Sequence, residues 1–335
     1  MATQITGDSH SLIFVEDSAP GIARRKKGAY FAFFDAKGTR ITDRAEIDRL
    51  RAIGLPPAYT ECWYCADPNG HLQATGYDAR GRKQYRYHRE YRAAQETGKY
   101  AGCVDFGRAL PHVRARVEAD LRKRSVGRER ALAALVRLLD IGKIRVGNDR
   151  YALENKSYGA TTLRMRHAEI ESGALRLCYR GKSGKMHERR VRDAGLLRFV
   201  RAMQDLPGQR LFQYVDEDGA RHDVTSTEVN AYLREVAGPG ITAKHFRTWG
   251  GSVAAYTALY HGTGKVGLKA MLETVAAMLG NTPAISRKSY VHPALIELAK
   301  SDGQEEWRKA VRLPRATRWL SREERGFIAF LAEGG

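Results

Sequence analysis

The chain has 335 residues, which is enough to bury a sizeable core and favours two domains over one. Its 57 Lys and Arg residues against 38 Asp and Glu residues give a net charge of +19, which indicates a polyanionic partner, nucleic acid ahead of an anionic membrane. A hydrophobic content of 43% excludes wholesale disorder. No run of about 18 apolar residues occurs, and residues 1–20 are polar and acidic, so we expect neither a membrane span nor a signal peptide.

The first part of the chain predicts a small strand-rich domain. Residues 1–24 show no periodicity and are expected to form a loose leader, and residues 25–106 are expected to form an α+β domain. Asp43 has the side chain of a helix N-cap, with Glu46 at the third helical position. Strands are predicted at 30–35, 61–66 and 71–77.

Beyond Gly107 the apolar spacing changes to the helical period, so residues 107–335 are predicted to form a mainly α domain with a small sheet. Two strands flank the glycine-bearing turn 181–184. The C-terminal tail carries a capping box at Ser321 and Glu324. Helices are predicted within 111–141 and at 196–206, 228–236, 248–259 and 268–279.

The four cysteines are too few and too scattered for a disulfide framework. Cys62 and Cys65 have the spacing of metal ligands, but a zinc site needs a second pair, and no nearby pair exists. We therefore interpret both as buried strand residues and expect no metal site there.

The segment 279–290 ends a helical run on Tyr290, which basic and polar residues surround. Three cationic residues precede Tyr290 in the chain. They are Arg145 in Ile-Arg-Val-Gly-Asn, Lys182 in the glycine-bearing turn, and Arg247 in Lys-His-Phe-Arg. Taken singly, a tyrosine at a helix end usually packs in the core, and a lone cation is usually a solvated surface charge. Their order and spacing make them a candidate site.

That order, completed by Leu-Gly-x-Thr-x-x-Ile-Ser-x-x-x-Tyr, resembles the type IB DNA topoisomerases in the small poxvirus-like form that some bacteria carry. The resemblance covers roughly residues 25–300. It implies relaxation of supercoiled duplex DNA by transient single-strand cleavage and religation through a 3′-phosphotyrosyl intermediate, without ATP or an obligatory metal. The chain accordingly lacks the glycine-rich P-loop pattern of many NTPases. The resemblance also implies that the two domains clamp duplex DNA. The protein is expected to be a monomer and to act in the bacterial cytoplasm, at the nucleoid.

The chemistry suits these side chains. The resemblance makes Tyr290 the nucleophile. Guanidinium forks grip two phosphate oxygens at once, which suits Arg145 and Arg247 to neutralising the phosphate. An ammonium on a flexible stem can protonate a leaving 5′ oxygen, which suits Lys182.

Two positions bear on the family pattern. The family usually has histidine where Asn281 stands, while some bacterial members have asparagine, which can donate a hydrogen bond to a phosphate oxygen but carries no charge. Lys244 stands where the related tyrosine recombinases characteristically place histidine, so Lys-x-x-Arg favours a topoisomerase.

The segment 81–88 matches the groove-contacting segment of the family. Alternate residues of a strand face one way, so Tyr85 and Tyr87 share a face flanked by cations for phosphates. A corresponding contact in the catalytic domain is expected at Tyr151. The predicted DNA-binding residues are Arg82, Lys83, Gln84, Tyr85, Tyr87 and Tyr151.

Two alternatives remain at this stage. A tyrosine recombinase would share the catalytic half, but it would carry histidine at position 244 and a helical DNA-binding domain. A non-enzymatic basic DNA-binding protein would explain the charge of +19 but would leave the four candidate catalytic residues as coincidence.

Overall fold

The computed structural model describes residues 12–28, 30–206 and 208–334, without the side chains at 94–97, 99, 101, 150, 151 and 183. The chain divides into two compact units, residues 1–99 and 100–335. The boundary predicted between residues 106 and 107 lies inside a continuous helix. Gly107 lies within that helix and packs against Trp249, where a Cβ would lie 2.6 Å from the indole Cζ3.

The N-terminal unit is a five-stranded antiparallel sheet with one helix on its apolar face. The strand order is β2-β1-β3-β4-β5, so β5 lies at an edge. Asp43 accepts hydrogen bonds from the N–H groups of Ala45 and Glu46, which satisfies two donors at the start of α1 as predicted. The elements are β1 Ile22–Lys27, β2 Tyr30–Phe34, α1 Arg44–Ala52, β3 Thr60–Tyr64, β4 Leu72–Tyr77 and β5 Lys83–Tyr87.

The described part of the N-terminal leader, residues 12–21, is attached to this sheet. Ile13 exchanges backbone hydrogen bonds with Asn69 and His71, and the Val15 N–H donates to Nδ1 of His71. The carboxylate of Asp17 lies 2.5 Å from Nζ of Lys83. The leader was expected to be loose to residue 24, whereas its last three residues belong to β1 and residues 1–11 lie outside the described chain.

The C-terminal unit is mainly helical. Helix α2 spans Arg89–Ala101. A three-stranded antiparallel sheet has the order β6-β7-β8, and a short hairpin pairs β9 with β10. The strands are β6 Ala168–Glu171, β7 Ala174–Arg180, β8 Met186–Val191, β9 Gln213–Val215 and β10 Arg221–Asp223. The helices are α3 Cys103–Leu121, α4 Arg128–Gly142, α5 Asp149–Asn155, α6 Ala194–Gln204, α7 Ser226–Ala237, α8 His245–His261, α9 Leu268–Leu279, α10 Pro283–Ser289, α11 Pro293–Lys300, α12 Gln304–Ala310 and α13 Arg322–Ala332.

One apolar core joins most of these helices to β7. The largest buried side chains include Trp249, Phe106 and Phe246, and the ring of Phe106 packs edge to face against each of the other two. Ser321 and Glu324 form the predicted capping box of α13. The α+β prediction, a strand-rich N-terminal unit followed by a mainly α unit with a small sheet, is therefore confirmed. Within the described ranges, no helix is long and apolar enough to cross a membrane.

Candidate active site

Arg145 lies in a short loop that follows α4. The helix ends at Lys143, whose φ of 49° turns the chain into the left-handed region. The carbonyl of Arg145 then accepts a hydrogen bond of 2.8 Å from the N–H of Ala160. Gly159 allows this approach, because a Cβ there would lie 2.7 Å from that carbonyl oxygen. Backbone contacts thus hold the loop, and the guanidinium of Arg145 is available to bind other groups.

Arg247 lies in the first turn of α8 and is 4% exposed. Its Nη1 donates to the carbonyl of Lys143, and its Nη2 donates to the carbonyl of Leu279 at 3.1 Å. The Nε of Arg247 is buried without a hydrogen-bond partner among the described residues. Two elements distant in sequence therefore hold the guanidinium, and the Nε donor is available to an acceptor from outside.

Tyr290 caps the C-terminus of α10 and is half-buried. Its carbonyl accepts a hydrogen bond of 3.2 Å from Oγ of Ser252. Helix α8 approaches this backbone closely at Gly251, where a Cβ would lie 2.6 Å from the same carbonyl oxygen. The Arg247 guanidinium carbon lies 4.8 Å from the centroid of the Tyr290 ring.

The charges around Tyr290 favour its phenolate. Burial raises the pKa of the phenol, but the cations Arg247, Arg145 and Lys182 outweigh burial and hold the pKa below its ordinary value. By contrast, burial raises the pKa of Tyr256, another tyrosine of this unit, to about 12. A phenol of lowered pKa in a cationic setting suits nucleophilic attack on a phosphate.

Asn281 follows the left-handed C-cap of α9, Gly280, and its backbone N–H donates to the carbonyl of Ala276 at 3.0 Å. The side-chain Oδ1 accepts a hydrogen bond of 2.7 Å from Nη2 of Arg145. Because a guanidinium can only donate, this bond assigns the amide orientation. The Nδ2 is buried and has no partner within the described chain, so it can donate to an anion beside Arg145.

Lys182 is exposed at the turn between β7 and β8. A narrow polar cavity brings it together with Arg145 and Arg247. The structure thus gathers Arg145, Lys182 and Arg247, with Asn281 bonded to Arg145 and Tyr290 beneath Arg247. Lys244 is different: it flanks the start of α8 with an exposed side chain, and no described hydrogen bond or ion pair joins that side chain to the cluster.

Three residues of this cavity were not predicted from the sequence. His187 and Arg189 lie on one face of β8, and Tyr179 lies opposite His187 on β7. Nη2 of Arg189 donates to the carbonyl of Met278 near the end of α9. Burial first, then Arg189 and Arg145, lowers the pKa of His187 to about 4. Alternation along β8 could have grouped positions 187 and 189, but nothing local indicates their contact with α9.

The N-terminal unit exposes part of its predicted DNA-binding strand. Tyr85 and Tyr87 are 46% and 40% exposed and stack with ring centroids 6.1 Å apart. Arg82 and Gln84 both donate to Oδ2 of Asp78, and the hydrogen bond from Arg82 is the main reason that the pKa of Asp78 falls to about 2. Lys83 pairs with a carboxylate of the leader. Tyr151 lies in α5, and its side chain is outside the described residues.

Across 12–28, 30–206 and 208–334, no group of three or more His, Cys, Asp or Glu residues could hold a metal ion. Cys62 is buried within β3, whereas Cys65 was predicted in the same strand but is buried just after the strand ends at Tyr64. Burial raises the pKa of both thiols.

Comparison with protein families matches most of the chain. Residues 88–311 match the catalytic core of eukaryotic DNA topoisomerase I. Residues 30–78 match the N-terminal domain of bacterial DNA topoisomerase IB. The two matches agree in order with the two units of the fold.

Two viral DNA topoisomerases are similar to this chain over most of its length. DNA topoisomerase 1B of Acanthamoeba polyphaga mimivirus is 31% identical over 84% of this chain and 88% of its own length. DNA topoisomerase 1B of vaccinia virus (strain Copenhagen) is 23% identical over 67% of this chain and 71% of its own. Among solved structures, the XerH recombinase in a post-cleavage complex with difH substrate aligns at a TM-score of 0.39 and 13% identity, covering 58% of this chain and 50% of that chain. The family matches and the mimivirus relative show that the chain belongs to the type IB DNA topoisomerases and is an enzyme of that type.

Proposed function

We propose that this DNA topoisomerase relaxes supercoiled duplex DNA by cutting one strand through a 3′-phosphotyrosyl intermediate. Oη of Tyr290 attacks the scissile phosphorus and forms the tyrosyl ester while the bond from phosphorus to the 5′ oxygen breaks. The phenolic proton passes to water, and Lys182 gives a proton to the leaving 5′ oxygen. The released strand rotates, and the reverse attack by the 5′ hydroxyl reseals it.

The position of Tyr290 beneath Arg247 is the observation that carries this proposal. The ring lies 4.8 Å from a buried guanidinium, and nearby cations keep the pKa of its phenol low. The same cations would neutralise the charge that accumulates on the phosphate oxygens during attack. Arg247 Nε and Asn281 Nδ2, both buried without described partners, are donors suited to those oxygens.

Neither ATP nor a metal ion is needed in this scheme, because the tyrosyl ester conserves the energy of the phosphodiester bond. We further propose that the duplex is clamped by the two units, that Tyr85 and Tyr87 read base edges while cations contact phosphates, and that Arg82, Lys83, Gln84, Tyr151 and Lys244 assist. The enzyme would act as a monomer on DNA in the bacterial cytoplasm.

Supercoiled plasmid incubated with the protein in EDTA, without ATP, tests the proposal. We expect relaxation, and we expect denaturant to trap protein on the 3′ end of the cut strand. Tyr290→Phe should abolish both. Tyr256→Phe and Tyr260→Phe are matched controls, because they remove the same oxygen from tyrosines of the same unit.

The outcomes separate the alternatives. Strand exchange at a defined site would indicate a recombinase, and binding without cleavage would indicate a DNA-binding protein. An adduct that persists in Tyr290→Phe would show that another residue is the nucleophile.

A further inference from the structure

His187 is a buried histidine at the centre of the candidate site that the proposed chemistry does not use. It lies on β8 and is 6% exposed. Its ring stacks on that of Tyr179, the residue paired with it on β7, with centroids 5.5 Å apart and an interplanar angle of 24°. The imidazole therefore has a defined orientation.

Glycines contact two opposite edges of this imidazole. A Cβ on Gly181 would lie 2.7 Å from Nε2, and a Cβ on Gly280 would lie 2.7 Å from Nδ1. Real Cβ atoms essentially never come this close, so each glycine backbone packs directly on the ring. The imidazole thus spans the gap between the β7–β8 turn and the C-terminus of α9.

Each of these glycines immediately precedes a candidate catalytic residue. Lys182 follows Gly181 in the turn, and Asn281 follows Gly280 at the cap of α9. Asn281 in turn accepts a hydrogen bond from Arg145. The imidazole ring therefore lies between the segment that carries Lys182, the proposed proton donor, and the segment that carries Asn281, which with Arg145 would bind the phosphate.

The ring suits this role because it is uncharged at neutral pH. Burial and the cations Arg189, Arg145, Lys185 and Arg247 lower the pKa of His187 to about 4. A protonated imidazole here would repel the same cations, whereas a neutral ring adds packing without competing for the phosphate.

We infer that His187 is a positioning residue, which holds Lys182 and Asn281 at the separation that lets both act on one scissile phosphate. The inference rests on the proposed function, since it assumes that Lys182 protonates the 5′ oxygen. It assigns no contact between His187 and DNA.

Single-turnover cleavage of a duplex with one cleavage site, at saturating enzyme, tests the inference. Misplacement of a catalytic group by about 1 Å can cost roughly 10²-fold. We therefore expect His187→Ala to cleave about 10- to 100-fold more slowly, with DNA affinity, measured in the Tyr290→Phe background, unchanged within about threefold.

The same measurement with a bridging 5′ sulfur separates positioning from general damage. Sulfur leaves readily without a proton, so a misplaced Lys182 matters less, and we expect the defect of His187→Ala to shrink on this substrate. Val191→Ala is the matched control, because it trims a buried β8 side chain that does not line the cavity. It should lower thermal stability while leaving cleavage at saturation close to that of the parent.

Gly181→Ala supplies an independent readout. Its φ of −97° accepts alanine, so the harm should come from the collision between the new methyl group and the imidazole. We expect Gly181→Ala to cleave slowly in the parent, and the His187→Ala/Gly181→Ala double variant to cleave faster than the product of the two single defects predicts.

The inference is overturned if His187→Ala cleaves as fast as the parent, if its defect is equal on the oxygen and sulfur substrates, or if the two substitutions multiply independently. The proposed function fails differently. In that case the parent forms no adduct through Tyr290, or the 5′ sulfur does not restore the cleavage rate of Lys182→Ala. Both outcomes are independent of the His187 variants.

Discussion

Nη2 of Arg145 donates a hydrogen bond of 2.7 Å to Oδ1 of Asn281, although 136 positions separate the two residues. The bond orients the amide so that its nitrogen, which is buried without a described partner, faces away from the guanidinium. The Arg145 guanidinium and the Asn281 amide are thereby held together, and both can donate hydrogen bonds. We propose that Asn281 takes the place of the histidine that is usual in the family: its amide donates the hydrogen bond, and the neighbouring Arg145 supplies the positive charge.

We predict that Asn281→Ala slows cleavage by roughly 10- to 10³-fold at saturating DNA, as expected for loss of one donor to a developing anion. Asn281→His should retain substantial activity, because imidazole also donates from this position. Single-turnover adduct formation on a defined duplex measures both. If the alanine variant cleaves as fast as the parent, Asn281 only turns the chain after α9.

Lys182→Ala should slow cleavage far more than it weakens binding, because general acids contribute about 10²- to 10⁴-fold. A bridging 5′ sulfur should restore much of the lost rate. Lys185→Ala is the control, since Lys185 is an exposed lysine at the other end of the same turn. Equal loss on the oxygen and sulfur substrates would mean that Lys182 does not protonate the leaving oxygen.

Arg247 should control the ionisation of Tyr290. A cation favours the phenolate, so Arg247→Ala should raise the pKa of Tyr290 and leave less phenolate at neutral pH. The rise of the cleavage rate with pH should therefore move to more alkaline pH, and Arg247→Lys, which keeps the charge, should move it less. The ultraviolet difference between each variant and the same variant with Tyr290→Phe isolates this phenol. An unmoved titration in Arg247→Ala would contradict the electrostatic account.

Tyr85→Ala combined with Tyr87→Ala should reduce cleavage at preferred sites more than on random DNA, because base contacts specify sequence and phosphate contacts position the protein. Tyr30→Ala is the matched control, since Tyr30 is 53% exposed on β2 at the opposite edge of the sheet. Adduct mapping at nucleotide resolution measures the preference. Equal losses on all sequences would assign the two tyrosines a structural role.

Salt should weaken binding of all DNA sequences steeply. A protein of net charge +19 that neutralises several phosphates releases their counterions, so the logarithm of the affinity should fall linearly with the logarithm of the salt concentration. Titration of a fluorescent duplex with the Tyr290→Phe protein at several salt concentrations measures this slope. A flat dependence would contradict phosphate-dominated binding.

Predictions that rest on local pattern agree well with the fold. The cap at Asp43, the strands around the 181–184 turn and the capping box at Ser321 all depend on residues within a few positions of one another. Strand β1 was missed because Arg24, Arg25 and the lysines that follow them show no strand-like alternation of apolar residues. Its pairing with β2 and β3 stabilises it instead.

The leader and the boundary between the units were also harder to predict, because they too depend on contacts between residues far apart in the chain. Asp17 is unremarkable in sequence until the fold places it 2.5 Å from Nζ of Lys83. Gly107 reads as a break in the sequence, but it lies inside a helix, where Trp249, far along the chain, packs against it. Neither contact leaves a periodic signal in the sequence.

The sequence by itself determined the family, the order of most elements and the candidate residues Arg145, Lys182, Arg247, Asn281 and Tyr290, because residue type and spacing carry that information. Only the tertiary structure decided how these side chains act on one another. The lowered pKa of Tyr290, the bond between Arg145 and Asn281, and the ring of His187 between two glycine backbones each join residues far apart in the chain. Coulombic energy and van der Waals contact depend on distance in space, and the packing of α8, α9 and the β7–β8 hairpin sets that distance.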